Sequence, residues 1–366
     1  MMATEQTFIP RWASAPGDTI RNIIDSQGVS PAQVESSCGL KEGELEGLLQ
    51  GTVHIDQPLA ESLSNCLGGS TTFWIRREQR FREQEALVEA DRWVETLPLK
   101  SMNRLSWLEV PRDWQERIEA CLKFFGTDTL DAWRQSYSDQ LQTVKFRTST
   151  SFQNQVPSVS TWLRAGELAN VGFNGGPLDR VSLSNSIPDL RELTRCPDPE
   201  IFLPAIQAIL HRSGVSCIVV PTPEGCAASG ASRVLQDGSA LIQLSGRFLS
   251  DDQFWFSLFH EIGHLLLHNE APLHIDGDPG DFEQDEMERE ANSFAANVLW
   301  PFAERSDAEL GDRPSRRDIV RLASRLGTSP GVVLGQLQSS GVLHYSEFNN
   351  LKRRYVRDGS CLLLKR

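Results

Sequence analysis

His260-Glu261-Ile262-Gly263-His264 sets two imidazoles one helical turn apart, with a carboxylate directly after the first. Residues i and i+4 share a helix face, so both rings can reach one cation at roughly 2.0 to 2.1 Å, while Glu261 sits about 100° around, placed to hold a water. The flanking residues read as a helix. Ser250, Asp251 and Asp252 offer capping oxygens ahead of the apolar run Phe254 to Phe259, and Asn269 and Pro272 mark the end. The spacing is that of a catalytic zinc site, with His260 and His264 as metal ligands and Glu261 as the general base.

A catalytic zinc takes three protein ligands and keeps one position open, and no cysteine lies near the motif. A carboxylate or a third histidine must complete the set. The segment Glu286 to Leu299 favours helix, and Glu288, Ala291, Asn292, Ala295 and Leu299 fall on one face. Its small residues allow close approach to the first helix. Glu288 is therefore the candidate third ligand, Asn292 one turn later a support behind the ligands, and Glu290, about 200° away, is read as unable to share the role. His268 is the rival. Three histidines in series on one helix span about 12 Å, too far for one ion, so His268 is read as lining the site or satisfied nearby. The longer HExxHxxGxxH pattern fails, because Leu267 stands at its glycine and Glu270 at its last histidine.

The runs FSLFHEIGHLLLH (256–268) and EREANSFAANVLWP (288–301) together are similar to the ImmA/IrrE metallopeptidases. The resemblance spans about residues 187 to 301 and departs from the family at Trp300, where an aliphatic residue usually precedes the proline. It implies an intracellular, site-specific, zinc-dependent endopeptidase that cleaves a regulatory protein, a repressor or an antitoxin-like one, in a phage, stress or defence response. It also implies Zn2+ held by the two motif histidines and by a glutamate four residues before an asparagine, here Glu288 and Asn292.

The 366 residues suit two or three domains, and a charged content of 23% with 39% hydrophobic residues is that of a folded protein. A net charge of -13 argues against nonspecific nucleic-acid binding by the whole molecule. Residues 1–16 lack an apolar core of signal-peptide length and no apolar run of membrane-spanning length occurs, so a cytoplasmic protein with no membrane partner is expected. The seven cysteines form no CxxC pair and read as reduced thiols.

Helices are expected over 16–27, from Ser30-Pro31 to Gly39, over 41–50 and over 57–67, each closed by glycine or polar residues. This pattern resembles the Xre-type helix-turn-helix domain of HigA-like antitoxins over residues 15–82. Such families read the major groove with the third helix, but here it carries Glu42, Glu44 and Glu46 against Lys41 alone. From Ala15 to Ser70 the acids Asp18, Asp25, Glu35, Glu42, Glu44, Glu46, Asp56 and Glu61 stand eight to two over Arg21 and Lys41. That balance disfavours DNA binding and points to protein contacts, either a homodimer or a docked partner. Arg76, Arg77, Arg80 and Arg82 read as a charged helix face.

The tryptophans of residues 91–186 read as packing in a helical connector. Strands are expected over 214–220 and 240–244, with a glycine-rich turn at 225–230 and either a sheet edge or a plain hairpin loop at 228–231. A final helix pair, 318–326 and 331–338, reads as a cap. The expected fold is α+β and predominantly helical, in four parts: a helix-turn-helix bundle at 1–90, a helical connector at 91–186, a zincin-like peptidase domain with a small sheet at 187–304, and a C-terminal helical element at 305–366. The rival function is a helix-turn-helix transcriptional regulator or antitoxin-like binding protein whose metal is structural or sensory. Candidates for stabilising an oxyanion are His268, His274, Arg247, Tyr345 and Tyr355.

Overall fold

The computed structural model describes residues 10–41, 43–138, 141, 156–268, 273–276, 286–305, 313–359 and 361–365. Asn269, Glu270, Pro272 and Glu42 lie outside them. The described residues are mostly helical with a small mixed sheet, and none of their helices is long and apolar enough to cross a membrane. The chain divides into two compact units, Met1–Thr96 with Pro111–Glu119, and Leu97–Val110 with Ala120–Arg366. This differs from the four-part reading. Most of the connector and the C-terminal element share a unit with the peptidase-like part, tied to it by Trp162 under the sheet and by helix Pro330–Ser339 against helix Asp251–Leu267.

The first unit holds helices Pro16–Gln27, Pro31–Cys38, Glu44–Gln50, Gln57–Leu67 and Thr71–Thr96. Their starts follow the local chemistry: the Ser30 side chain accepts from the Gln33 N–H while the Gln33 side chain accepts from the Ser30 N–H, the reciprocal cap that fixes a first turn. Ile20, Val34, Leu48, Leu63 and Trp74 form the core. The last helix runs past residue 90, so the boundary read there falls inside an element. Two of the four arginines are structural. Arg77 donates to Ser14, Thr19 and Ala15, and Arg82 to Glu78, Glu85 and the carbonyl of Gly51.

The second unit is built on a four-stranded sheet of β1 (Val215–Val219), β2 (Gly230–Val234), β3 (Ala240–Leu244) and β4 (Leu273–Asp276), in the order β1-β3-β2-β4. β1 and β3 run parallel, while β2 is antiparallel to both β3 and β4. The 228–231 stretch read as an edge or hairpin loop leads instead into an interior strand, and β4 is the edge beside it. Every residue of β3 is buried, as expected for a strand covered on both faces. Ala240, Ile242 and Leu244 turn to a core shared with helix Asp251–Leu267, hereafter the motif helix. Gln243, on the opposite face, donates to the Trp162 carbonyl of helix Val156–Ala169, and the Trp162 indole donates to the Val220 carbonyl. The connector's tryptophan thus packs beneath the sheet.

Helix Glu286–Leu299, hereafter the glutamate helix, lies against the motif helix. Helices Arg316–Leu326 and Pro330–Ser339 form a pair around Ile319, Leu322, Val333 and Leu337. The second of them brings Gly331 and Gly335 against Asp251 and Asp252, positions where a methyl group would collide with the carboxylates. A hairpin of β5 (Tyr355–Asp358) and β6 (Cys361–Leu364), which has no counterpart in the sequence reading, closes the unit.

Candidate metal centre

The motif helix carries Glu261 at 0% exposure, His260 at 1% and His264 at 0%, which is deep for polar groups without a binding task. Gly263 makes the depth reachable. A methyl there would stand 3.1 Å from Phe294 Cδ1 and 3.3 Å from Ala291 Cα, so the two helices meet across a glycine and an alanine. That contact delivers Glu288, which is also buried, to the histidines.

His260 Nε2 and His264 Nε2 lie 2.9 Å apart, and the two Glu288 carboxylate oxygens lie 3.3 Å from one Nε2 each. Donor atoms around a tetrahedral zinc at about 2.05 Å stand roughly 3.3 Å apart. The three residues therefore fit zinc in type, number and spacing. Asn292 Oδ1 lies 3.0 Å from His260 Nδ1. An amide oxygen only accepts, so the proton of His260 belongs on Nδ1 and the Nε2 lone pair points to the other two ligand candidates. Burial pushes the His264 imidazole below its ordinary range, favouring the neutral form that ligates. For Glu288, burial would raise the carboxyl, but hydrogen bonding with His260 and His264 outweighs it and holds the group well below the usual carboxylate range.

Glu261 sits against β2. A methyl group on Gly230 would collide with Glu261 Oε1, so this glycine gives the carboxylate its place. His268, read as lining the site or satisfied nearby, stands behind His264: its Nδ1 lies 3.0 Å from His264 Nδ1 and its Nε2 lies 2.9 Å from Glu290 Oε2. Glu290 is thus not a detached surface acid. The turn of the helix does point it away from Glu288, but its long side chain reaches the next turn of the motif helix. His274, on β4, stacks on His264 with ring centroids 4.2 Å apart.

The other residues weighed for oxyanion stabilisation lie elsewhere. Arg247 donates to the Ala227 carbonyl, Tyr345 is 64% exposed, and Tyr355 packs with Phe202 and Phe254 near the start of the motif helix. Sequence reasoning missed the room that Gly230 makes for Glu261 and the link through Glu290. The signal for the last was the histidine four residues after His264.

Comparison with curated proteins finds no match. Residues 225–338 match the family model described as Peptidase_M78: IrrE N-terminal-like domain. Across β2 to β4, the motif and glutamate helices and nearly all of the helix pair that follows, the chain is therefore similar to this peptidase family, and the similarity supports a metallopeptidase-type function in that part.

Proposed function

We propose that the second unit is a zinc-dependent endopeptidase, with His260, His264 and Glu288 as ligands and Glu261 as the general base. One observation carries the reading: two imidazoles and a carboxylate converge within 3.3 Å of one another, with a second buried carboxylate directly following the first histidine. Zinc held there would supply Lewis acidity, polarising a scissile carbonyl and making water easier to deprotonate. Glu261 takes the proton of the attacking water and passes it to the departing amine. Asn292 keeps His260 in the tautomer that leaves Nε2 open. The expected substrate is a regulatory protein of the repressor or antitoxin type, met in the cytoplasm. The absence of a CxxC pair in the sequence agrees with that compartment, and burial pushes the Cys217 and Cys226 thiols up to about 12.

Glu261→Gln keeps size, polarity and all three ligands but cannot accept the proton. Metal content should stay at the native level while cleavage falls by about 100-fold or more. Comparing newly formed protein N-termini in cells that make the native chain or the variant reads this directly. Identical sets of termini would sink the peptidase reading in favour of a structural or sensory metal.

The first unit, which resembles Xre-type domains, is read as a protein-contact domain. In the third helix Glu46 holds Gln50, and Glu44 accepts from the Lys41 N–H. With Arg77 and Arg82 engaged internally, Arg76 and Arg80 are the exposed cations left in that run, against an acidic third helix that would repel phosphates.

A further inference from the structure

The protein groups behind the two candidate histidines are not equivalent. Asn292 serves His260 alone, whereas His264 is met by a second histidine that is itself met by a carboxylate. We propose that Glu290 and His268 are positioning residues: together they form a two-step relay that fixes the tautomer and ring orientation of His264 for metal binding. The inference rests on the zinc reading and deepens it.

The direction of the relay follows from which atoms can donate. The Glu290 carboxylate only accepts, and its Oε2 lies 2.9 Å from His268 Nε2, so that nitrogen carries the proton. In neutral His268 the remaining nitrogen, Nδ1, is then an acceptor. It lies 3.0 Å from His264 Nδ1, which must therefore be the donor. A proton on His264 Nδ1 leaves the Nε2 lone pair bare, on the side where His260 Nε2 and Glu288 Oε1 converge. The same protonation pattern is reached at His260 through Asn292. Both candidate ligands are set by groups from the glutamate helix, one directly and one through His268.

The cluster of His264, His268 and His274 admits a different reading, a second cation site sharing His264. Such an ion would need His264 Nδ1 and a His268 nitrogen both without protons. The Glu290 contact commits His268 Nε2, and the 3.0 Å spacing of the two Nδ1 atoms is that of a hydrogen bond.

Burial also tells a positioning role from a purely structural one. The Glu290 side chain is 55% exposed and that of His268 5%. A hydrogen bond to so open a carboxylate contributes little to stability, so Glu290→Ala should leave the melting temperature of the metal-free protein where it was. The orienting role predicts a different loss. Zinc affinity, measured on the full chain by competition with a chromogenic chelator, should fall about 10-fold to 100-fold in Glu290→Ala. Glu290→Gln, whose amide oxygen still accepts from His268 Nε2, should recover most of it. His268→Gln, which can still accept from His264 Nδ1, should retain more affinity than His268→Ala. Native affinity in Glu290→Ala overturns the relay while leaving the zinc reading intact. Failure of the native chain to bind zinc overturns both. Two zinc ions per chain, one of them lost in His274→Ala, would replace the relay with a shared second site.

Discussion

Glu261 is placed by an absence. No side chain at position 230 could coexist with its carboxylate in the observed position, and the atoms that would be struck, Oε1 first and then Cδ and Cγ, all belong to the flexible Glu261 side chain. Gly230→Ala should therefore be tolerated by the fold, because Glu261 can swing aside, but not by the chemistry. We expect melting within a few degrees of native, zinc affinity within about twofold, and cleavage lower by about 100-fold, since a displacement of about 1 Å costs that much in positioned catalysis. Native turnover in the purified variant would mean that Glu261 works from another position. At this scale the sequence was legible where spacing alone dictates geometry. His260 and His264 follow from one helical turn, and Glu288 from the face it shares with Ala291 and Asn292. Gly230 was not legible, since nothing local says which distant side chain a glycine makes room for. The contact of Glu290 with His268 was not legible either, because helix angle describes where a side chain starts and not how far it reaches.

The two helices of the candidate centre form one element pair, and their closeness sets the ligand distances. Gly263 faces Ala291 and Phe294 with no slack beyond a few tenths of an ångström. Gly263→Val would wedge the pair apart, with an expected loss of about 1 to 3 kcal/mol, read by urea denaturation of the metal-free protein. Zinc affinity should fall as well, because Glu288 would move with its helix. A variant as stable as the native chain would show that the contact is not tight. Helices were read well here. The spans expected at 16–27, 57–67 and 286–299 recur residue for residue, since proline, serine and glycine punctuation is local chemistry. The sheet was read only in part. β1 and β3 are apolar runs, but β2 begins Gly-Ala-Ser and β4 is four residues long, so their pairing comes from neighbours distant in sequence.

For the molecule as a whole, stability should carry the mark of Asp251. Burial, with help from Asp252, raises its carboxyl from the ordinary range to about 6. A folded-state pKa above the unfolded one means that the native protein holds the proton more tightly. Its contribution is present below pH ~4 and is lost as pH rises through about 6. The stability of the native chain minus that of Asp251→Asn should thus decline by roughly 3 kcal/mol between pH 4 and 7. A flat difference across denaturation curves at those pH values would contradict it. The first unit makes a separate prediction: residues 1–96 should form no nanomolar complex with duplex DNA at physiological salt in a mobility-shift assay, and any weak complex should collapse as salt rises.

Asp251 also ties distant parts of the chain together. Its Oδ1 accepts from the N–H of Arg353, 102 residues downstream, its own N–H donates to the Arg353 carbonyl, and its Oδ2 accepts from Ser329. His260, His264 and Glu288 are much closer neighbours along the chain. During synthesis these two groups of contacts are separated in time, because a ribosome must add about a hundred residues after Asp251 before the partner at 353 exists. The nascent polypeptide can gather its histidines and glutamate while the first turn of their helix still lacks its anchor, so a growing chain should reach a metal-competent pocket before it reaches a rigid one.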